Sequence, residues 1–344
     1  MYQVSQKKNK IYISAIFAII ILSSGASLTG VQDIVENLKN MSKQGIIFAT
    51  FIYATEWPLR GIRYKTILAR LNKHYGILFL TESIFISQLA NVLLPARIGD
   101  IARVHVLKRK VDLPVTTGLS SLAVERICDI TAITLIAFLT ILMVSSMVTV
   151  YLWVISTIYL GGIIVLVFFI FLCASVIIKG NISYGLIGKI SNPCNSVKYL
   201  NKIKHFIFQL IREILIFASD PKSFISSLLL SIYIWIIDII TCFAVLASFQ
   251  EVHFSVSMVA LIFLAVAVGT ITKMFPVTPG AIGTYEVAVV AIFGLAGIEP
   301  SIAFIVAVVD HLIKNCVTVF GGGISLYSLG IKWNEESISL QNTL

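Results

Sequence analysis

Asn91-Val-Leu-Leu-Pro-Ala-Arg-Ile-Gly-Asp-Ile-Ala-Arg103 decides how this chain is read. A proline, a glycine, two arginines and an aspartate interrupt an otherwise apolar run. Pro95 lacks an N–H and disfavours a helical residue before it, so a helix stops near Leu94 and another restarts beyond it. Gly99 lets a neighbouring backbone come close. Phe275-Pro-Val-Thr-Pro-Gly-Ala-Ile-Gly-Thr-Tyr-Glu286 repeats the pattern. Pro95/Gly99 and Pro279/Gly283 share a Pro-x-x-x-Gly spacing, followed by Asp100 in one stretch and Glu286 in the other. Pro276 adds a further helix break to the second. Paired Gly/Pro breaks in the two halves of a hydrophobic chain point to a transport site.

The surrounding composition fits a membrane protein. The 344 residues are 58% hydrophobic and 12% charged, with a mean hydropathy of +0.94. A soluble domain of this size rarely has that balance. The net charge of +9 reads as loop bias toward the cytoplasm, and no basic stripe with interleaved aromatics supports a nucleic-acid role. Cys128, Cys173, Cys194, Cys242 and Cys316 are scattered without CxxC or Cys/His spacing, which argues against a disulfide framework or a zinc site. Lys7, Lys8 and Lys10 precede a first apolar run that lacks a small-x-small cleavage site, so it reads as a retained helix.

The hydrophobic runs predict an all-α, polytopic helical bundle. Six full spans are expected near Ile11–Leu28, Gly45–Leu59, Val115–Met147, Val150–Ile178, Phe224–Phe249 and Ser301–Leu329. Asp33 to Lys43 reads as a polar loop. The second span is expected to stop at Glu56-Trp57-Pro58 and give way to a basic loop holding Arg60, Arg63, Lys65, Arg70 and Lys73. Gly76–Leu94 has strongly basic flanks on both sides, and a full crossing would leave one of them outside. A re-entrant hairpin keeps both inside. Phe254–Phe275 with Gly280–Gly297 forms a second hairpin, entering from the other side and flanked by loops without Lys or Arg. Eight simple spans are the alternative. Between the fourth and fifth spans lies a cytoplasmic connection, residues 179–222, whose second half suits an amphipathic surface helix. The arrangement is inverted-repeat-like. It divides into a tail at 1–10, a transmembrane domain at 11–330 and a tail at 331–344, with both termini cytoplasmic in an inner membrane.

Charges inside spans cost about 2.5–3.5 kcal/mol each on insertion scales and are candidates for function. Arg126, Lys273 and Lys314 are the expected intramembrane cations. Glu125, Arg126 and Asp129 share one face of a long helix, either as a helix–helix clamp or as the charged wall of a polar cavity. Arg97 and Arg103, each three residues from Asp100, either snorkel at the interface or bind a lipid phosphate through the guanidinium fork. Gly280 and Gly283 are placed to open a helix whose free N–H groups face the same anion, with Lys273 just before them. Asp238, alone among isoleucines, must face the bundle. Asp310 and Lys314 can neutralise one another, with His311 beside them. Asp100, Glu125, Asp129, Asp238, Glu286 and His311 form the candidate charge network for proton coupling. HExxH, GxSxG, Walker A and Rossmann glycine motifs are absent, so neither a catalytic site nor a cofactor or metal is expected.

Taken in order, Asn91…Pro95-x-Arg97-x-Gly99-Asp100-x-x-Arg103, Glu125-Arg126-x-x-Asp129 and Pro276-x-x-Pro279-Gly280-x-x-Gly283-x-x-Glu286 resemble the lysylphosphatidylglycerol synthase transmembrane region family. The resemblance covers about residues 10–330. Asp100 stands where that family more often has Glu, Ala281 where a second Gly is common, and His311 where Arg is frequent. The resemblance implies a flippase-like domain that moves, or associates with, anionic or polyprenol-linked lipids, without the aminoacyl-transferring domain. Two further readings compete: a membrane-embedded enzyme acting on lipid phosphates, and a non-transporting partner of a lipid-modifying or glycosyl-transferring enzyme.

Overall fold

The computed structural model describes residues 16, 19–27, 29–94, 97–144, 152–177, 198–249, 254–274 and 278–331. Among them there are helices and no strands. After helical residues 19–27 come α1 (Val31–Asn40), α2 (Lys43–Ala54), α3 (Glu56–Arg70), α4 (Ile77–Leu93), α5 (Gly99–Val111), α6 (Val115–Val144) and α7 (Leu152–Ile177). Then follow α8 (Lys198–Ala218), α9 (Pro221–Leu246), α10 (Val256–Met274), a 3-10 turn (Pro279–Ala281), α11 (Thr284–Leu295) and α12 (Pro300–Ser328). By length and apolar composition α6, α9, α10 (to Lys273) and α12 can each cross a membrane, while α4, α7 and α11 contribute shorter apolar stretches. The chain is a multi-pass helical membrane protein.

Its surface and interior are the reverse of a soluble domain's. Leu142, Phe320, Ile324 and Val287 are more than half exposed, while Arg63, Arg103, Glu125, Asp129, Asp310 and Lys314 are buried. Lipid accommodates the first set, and polar groups must find partners inside the bundle.

Both expected breaks divide helix pairs. α4 packs against α5, and α10 against α11. The α4–α5 hairpin closes tightly because Gly99 lies against α4. A Cβ there would sit 2.0 Å from the Ser87 carbonyl oxygen and 2.7 Å from the Asn91 nitrogen. The far end of α5 returns to where α4 begins, since Asp112 interacts electrostatically with Lys73 and Tyr75. α12 runs along α4, and Gly321 and Gly322 face Phe85 and Leu89 so closely that any Cβ would clash. Small residues at such a contact let helices approach in the absence of a hydrophobic drive. Pro95 and Pro276 lie outside the described residues, as do Lys7, Lys8, Lys10 and the first part of the connection, residues 179–197, with Cys194. The second half of that connection is α8, an amphipathic helix seated on α6.

Two expectations about chain order fail. Residues 31–40, read as polar loop, form α1. The basic loop from Arg60 to Arg70 is also helical. Pro58 sits in the first turn of α3, where its missing N–H has no helical partner to lose, so it does not stop the helix. Arg60 and Arg63 are consequently buried rather than in an exposed loop.

Candidate functional site

The two breaks meet. A Cβ on Gly280 would lie 3.5 Å from the carbonyl oxygen of Val92. At their junction is a polar cavity of ≈ 130 Å³. Arg97 and Arg126 line it together with Arg60, Lys273, Lys314, Asp238 and His311. Gln88, Asn91 and Asn315 contribute amides, and Tyr53 and Trp235 aromatic walls.

Each cation is held differently. Arg97 adopts a left-handed backbone conformation, φ 54°, unusual for a residue with a Cβ and the kind of strain found at functional sites. Its guanidinium is 3.8 Å from Asp100. Asp100 accepts from Asn91 at 3.2 Å and Ser87 at 3.3 Å, which ties the α5 start back to α4. Arg126 stands 3.6 Å from Asp100, 3.5 Å from Glu125 and 3.7 Å from Asp129, all long contacts, and its side chain keeps 21% exposure. Glu125 and Asp129 turn mainly to other partners. Arg103 reaches Glu125 at 2.6 Å, and Arg63 pairs with both Asp129 and Glu125, the latter at 3.2 Å. Trp235 also donates its Nε1–H to Asp129 at 3.1 Å.

A second cluster forms on the other side. Lys314 contacts Asp310 at 2.8 Å and Asp238 at 3.0 Å, and the Tyr285 hydroxyl donates to Asp310 at 2.6 Å. Lys273 has no carboxylate at ion-pair distance among the described residues. Its ammonium lies 3.7 Å from the centre of the Tyr285 ring, a cation–π contact. His311 Nδ1 is 2.7 Å from Glu286. Glu286's other oxygen accepts the Gly283 N–H at 2.7 Å, closing the α11 N-terminus. Arg60 binds Glu56 one turn earlier at 3.0 Å and lies between Trp57 and Trp235.

Several sequence expectations change here. Arg103 neither lines the cavity nor snorkels: it is fully buried on Glu125, beneath the Tyr64 ring. Gly283 does not line the cavity either, and its N–H is spent on Glu286. Gly280, Arg97, Arg126 and Lys273 do meet there. Asp310 and Lys314 pair as expected, with Asp238 as a third member. Sequence reading missed Glu56, Arg60, Arg63 and Trp235. The 56/60 and 60/63 spacings were helical signals, hidden by treating Pro58 as a stop.

Counting each charge that lines the cavity or is ion-paired into it gives balance. The cations are Arg60, Arg63, Arg97, Arg103, Arg126, Lys273 and Lys314. The carboxylates are Glu56, Asp100, Glu125, Asp129, Asp238, Asp310 and Glu286. With every carboxylate, Lys and Arg counted as ionised, His311 as neutral, and Glu286 included through its contact with the His311 ring, the formal charges cancel. Most carboxylates stand behind the wall and most cations on it.

A family profile described as the lysylphosphatidylglycerol synthase TM region matches residues 10–322. The chain belongs to this family. Among curated relatives, the glycosyltransferase AglD of Haloferax volcanii is 31% identical over 86% of the chain. The match takes in 51% of that relative, so the chain spans about half its length. A UPF0104 membrane protein of Pyrococcus horikoshii is 24% identical over 92% of the chain and 96% of the relative. Another, from Methanocaldococcus jannaschii, is 24% identical over 69% of the chain and 92% of the relative. No solved structure matches the chain significantly.

Proposed function

We propose that this protein moves an anionic lipid, a phospholipid or a polyprenol-linked phosphate, between the leaflets of a cytoplasmic membrane. One observation carries the reading: both broken helices deliver their ends to a single cavity walled by Arg97, Arg126 and Lys273. Arg97 and Arg126 offer guanidinium forks suited to a phosphate, at long range from the carboxylates that would otherwise occupy them. The amides of Gln88, Asn91 and Asn315 add donors and acceptors for the rest of a head group. The tails would remain in lipid, so only the head group's desolvation sets the barrier.

In this reading the two hairpins enter from opposite faces, both termini are cytoplasmic, and residues 11–330 form the working domain. Asp100, Glu125 and Asp129 hold the arginines in place. The test is transport by the purified chain in proteoliposomes with a fluorescent anionic phospholipid in one leaflet. Faster exchange between leaflets than in protein-free vesicles is expected. Exchange equal to the protein-free rate, for both phosphatidylglycerol and a polyprenyl phosphate, overturns the proposal.

A second reading follows from the relative named a glycosyltransferase: the domain serves a glycosyl-transferring partner and holds its lipid. Co-purification of a transferase, with lipid retained but no exchange between leaflets, would favour it. Turnover of a labelled lipid by the purified chain alone would instead establish an enzyme.

A further inference from the structure

Resting on the anion-binding reading above, we propose that the cavity takes up a monoanionic phosphodiester together with one proton, and that His311 Nε2 accepts the proton. Counted formally, with each carboxylate, Lys and Arg ionised, the network around the cavity is neutral when His311 is neutral. Adding one phosphodiester leaves it with one uncompensated negative charge, which is expensive in a low-dielectric interior. One proton from water, forming an N–H bond at an imidazole, restores neutrality.

His311 is built for this. Its Nδ1 is committed to Glu286 at 2.7 Å, which leaves Nε2 without a protein partner among the described residues. The ring lines the cavity alongside Lys273, Lys314 and Asp238. The titratable and charged groups around it are Glu286 and Tyr285 on α11, Lys273 on α10, Asp238 on α9, Tyr53 on α2, and Asp310 and Lys314 on its own helix. The two lysines oppose a charge on His311, and a bound anion offsets them. Glu286 stabilises the imidazolium while keeping its own place on the Gly283 N–H. A permanently charged side chain at this position would bind an anion without a proton. Histidine makes binding conditional on one.

Isothermal titration of the purified full chain tests this, with two probes in buffers of different ionisation enthalpy. The probes are dihexanoylphosphatidylglycerol and the tail-free monoanion dimethyl phosphate. The expected result is uptake approaching one proton per anion, with affinity falling up to tenfold per pH unit on the alkaline side. His311→Arg should bind with no proton uptake and a flat pH profile. His311→Gln should bind more weakly, also without uptake. Binding without proton uptake by the unmodified protein overturns this proposal and leaves the anion site standing. So does uptake that survives in His311→Gln. Binding of neither probe removes the anion site itself, and the coupling with it. Proton-linked binding of dimethyl phosphate alone sustains the coupling and removes the lipid.

Discussion

Arg63 on α3 pairs with Asp129 on α6, 66 residues further along the chain, and both side chains are all but inaccessible. The same guanidinium donates to Ser231 on α9 at 2.7 Å. One arginine therefore ties three helices together behind the cavity-lining Arg126 and Trp235, which both contact Asp129, and it does so from a stretch whose charges suggest a cytoplasmic loop.

Removing Arg63 should be a stability event. Arg63→Met leaves Asp129 and Glu125 short of a buried counter-charge, a loss of about 3–5 kcal/mol. Adding Asp129→Asn should recover a good part of it. Thermal unfolding in detergent reports both, and equal stability of the single and double variants would show the pair to be uncoupled. Neutralising Glu125, Arg126 and Asp129 together should be costly, because Arg63 and Arg103 then lose their partners.

The neighbouring arginines should separate by role. Arg97→Lys and Arg126→Gln should slow lipid exchange in proteoliposomes at least tenfold while shifting the melting temperature little, since both are partly exposed and held by long contacts. Arg103→Lys should do the reverse by losing its two-pronged contact with Glu125. A destabilised Arg126→Gln with normal exchange would place Arg126 in the scaffold.

At Gly99 steric fit is decisive. Gly99→Val should force α5 away from the Ser87 carbonyl, open the hairpin and lower the yield of folded protein, with a destabilisation of about 1–3 kcal/mol, typical of overpacking. Size-exclusion profiles and thermal melts measure this. A valine variant as stable as the parent would mean the two helices can separate at no cost.

Topology is open to direct labelling. Single cysteines at Asn72 and Lys110, in a cysteine-less background, should react with an impermeant maleimide from the cytoplasmic side only. Reaction of the two sites from opposite sides would make α4 a complete crossing.

The sequence by itself determined the all-helical membrane class, both helix breaks, the convergence of Arg126 and Lys273 on one polar site, and the Asp310–Lys314 pair. These follow from local quantities: hydropathy over a span, the backbone limits of proline, and the three- and four-residue spacing on a helix. Tertiary structure alone decided which charge meets which. Arg103 looked free beside Asp100 and instead lies buried on Glu125, because α5 packs against α6. Arg60 and Arg63 looked solvated, yet α3 continues through Pro58 into the bundle and α6 supplies carboxylates for Arg63. Gly283 looked like an open anion donor, but Glu286, one turn along α11, had already taken its N–H. Charge pairing between helices depends on their rotation and depth relative to one another, and hydrophobic periodicity along one helix carries no record of either.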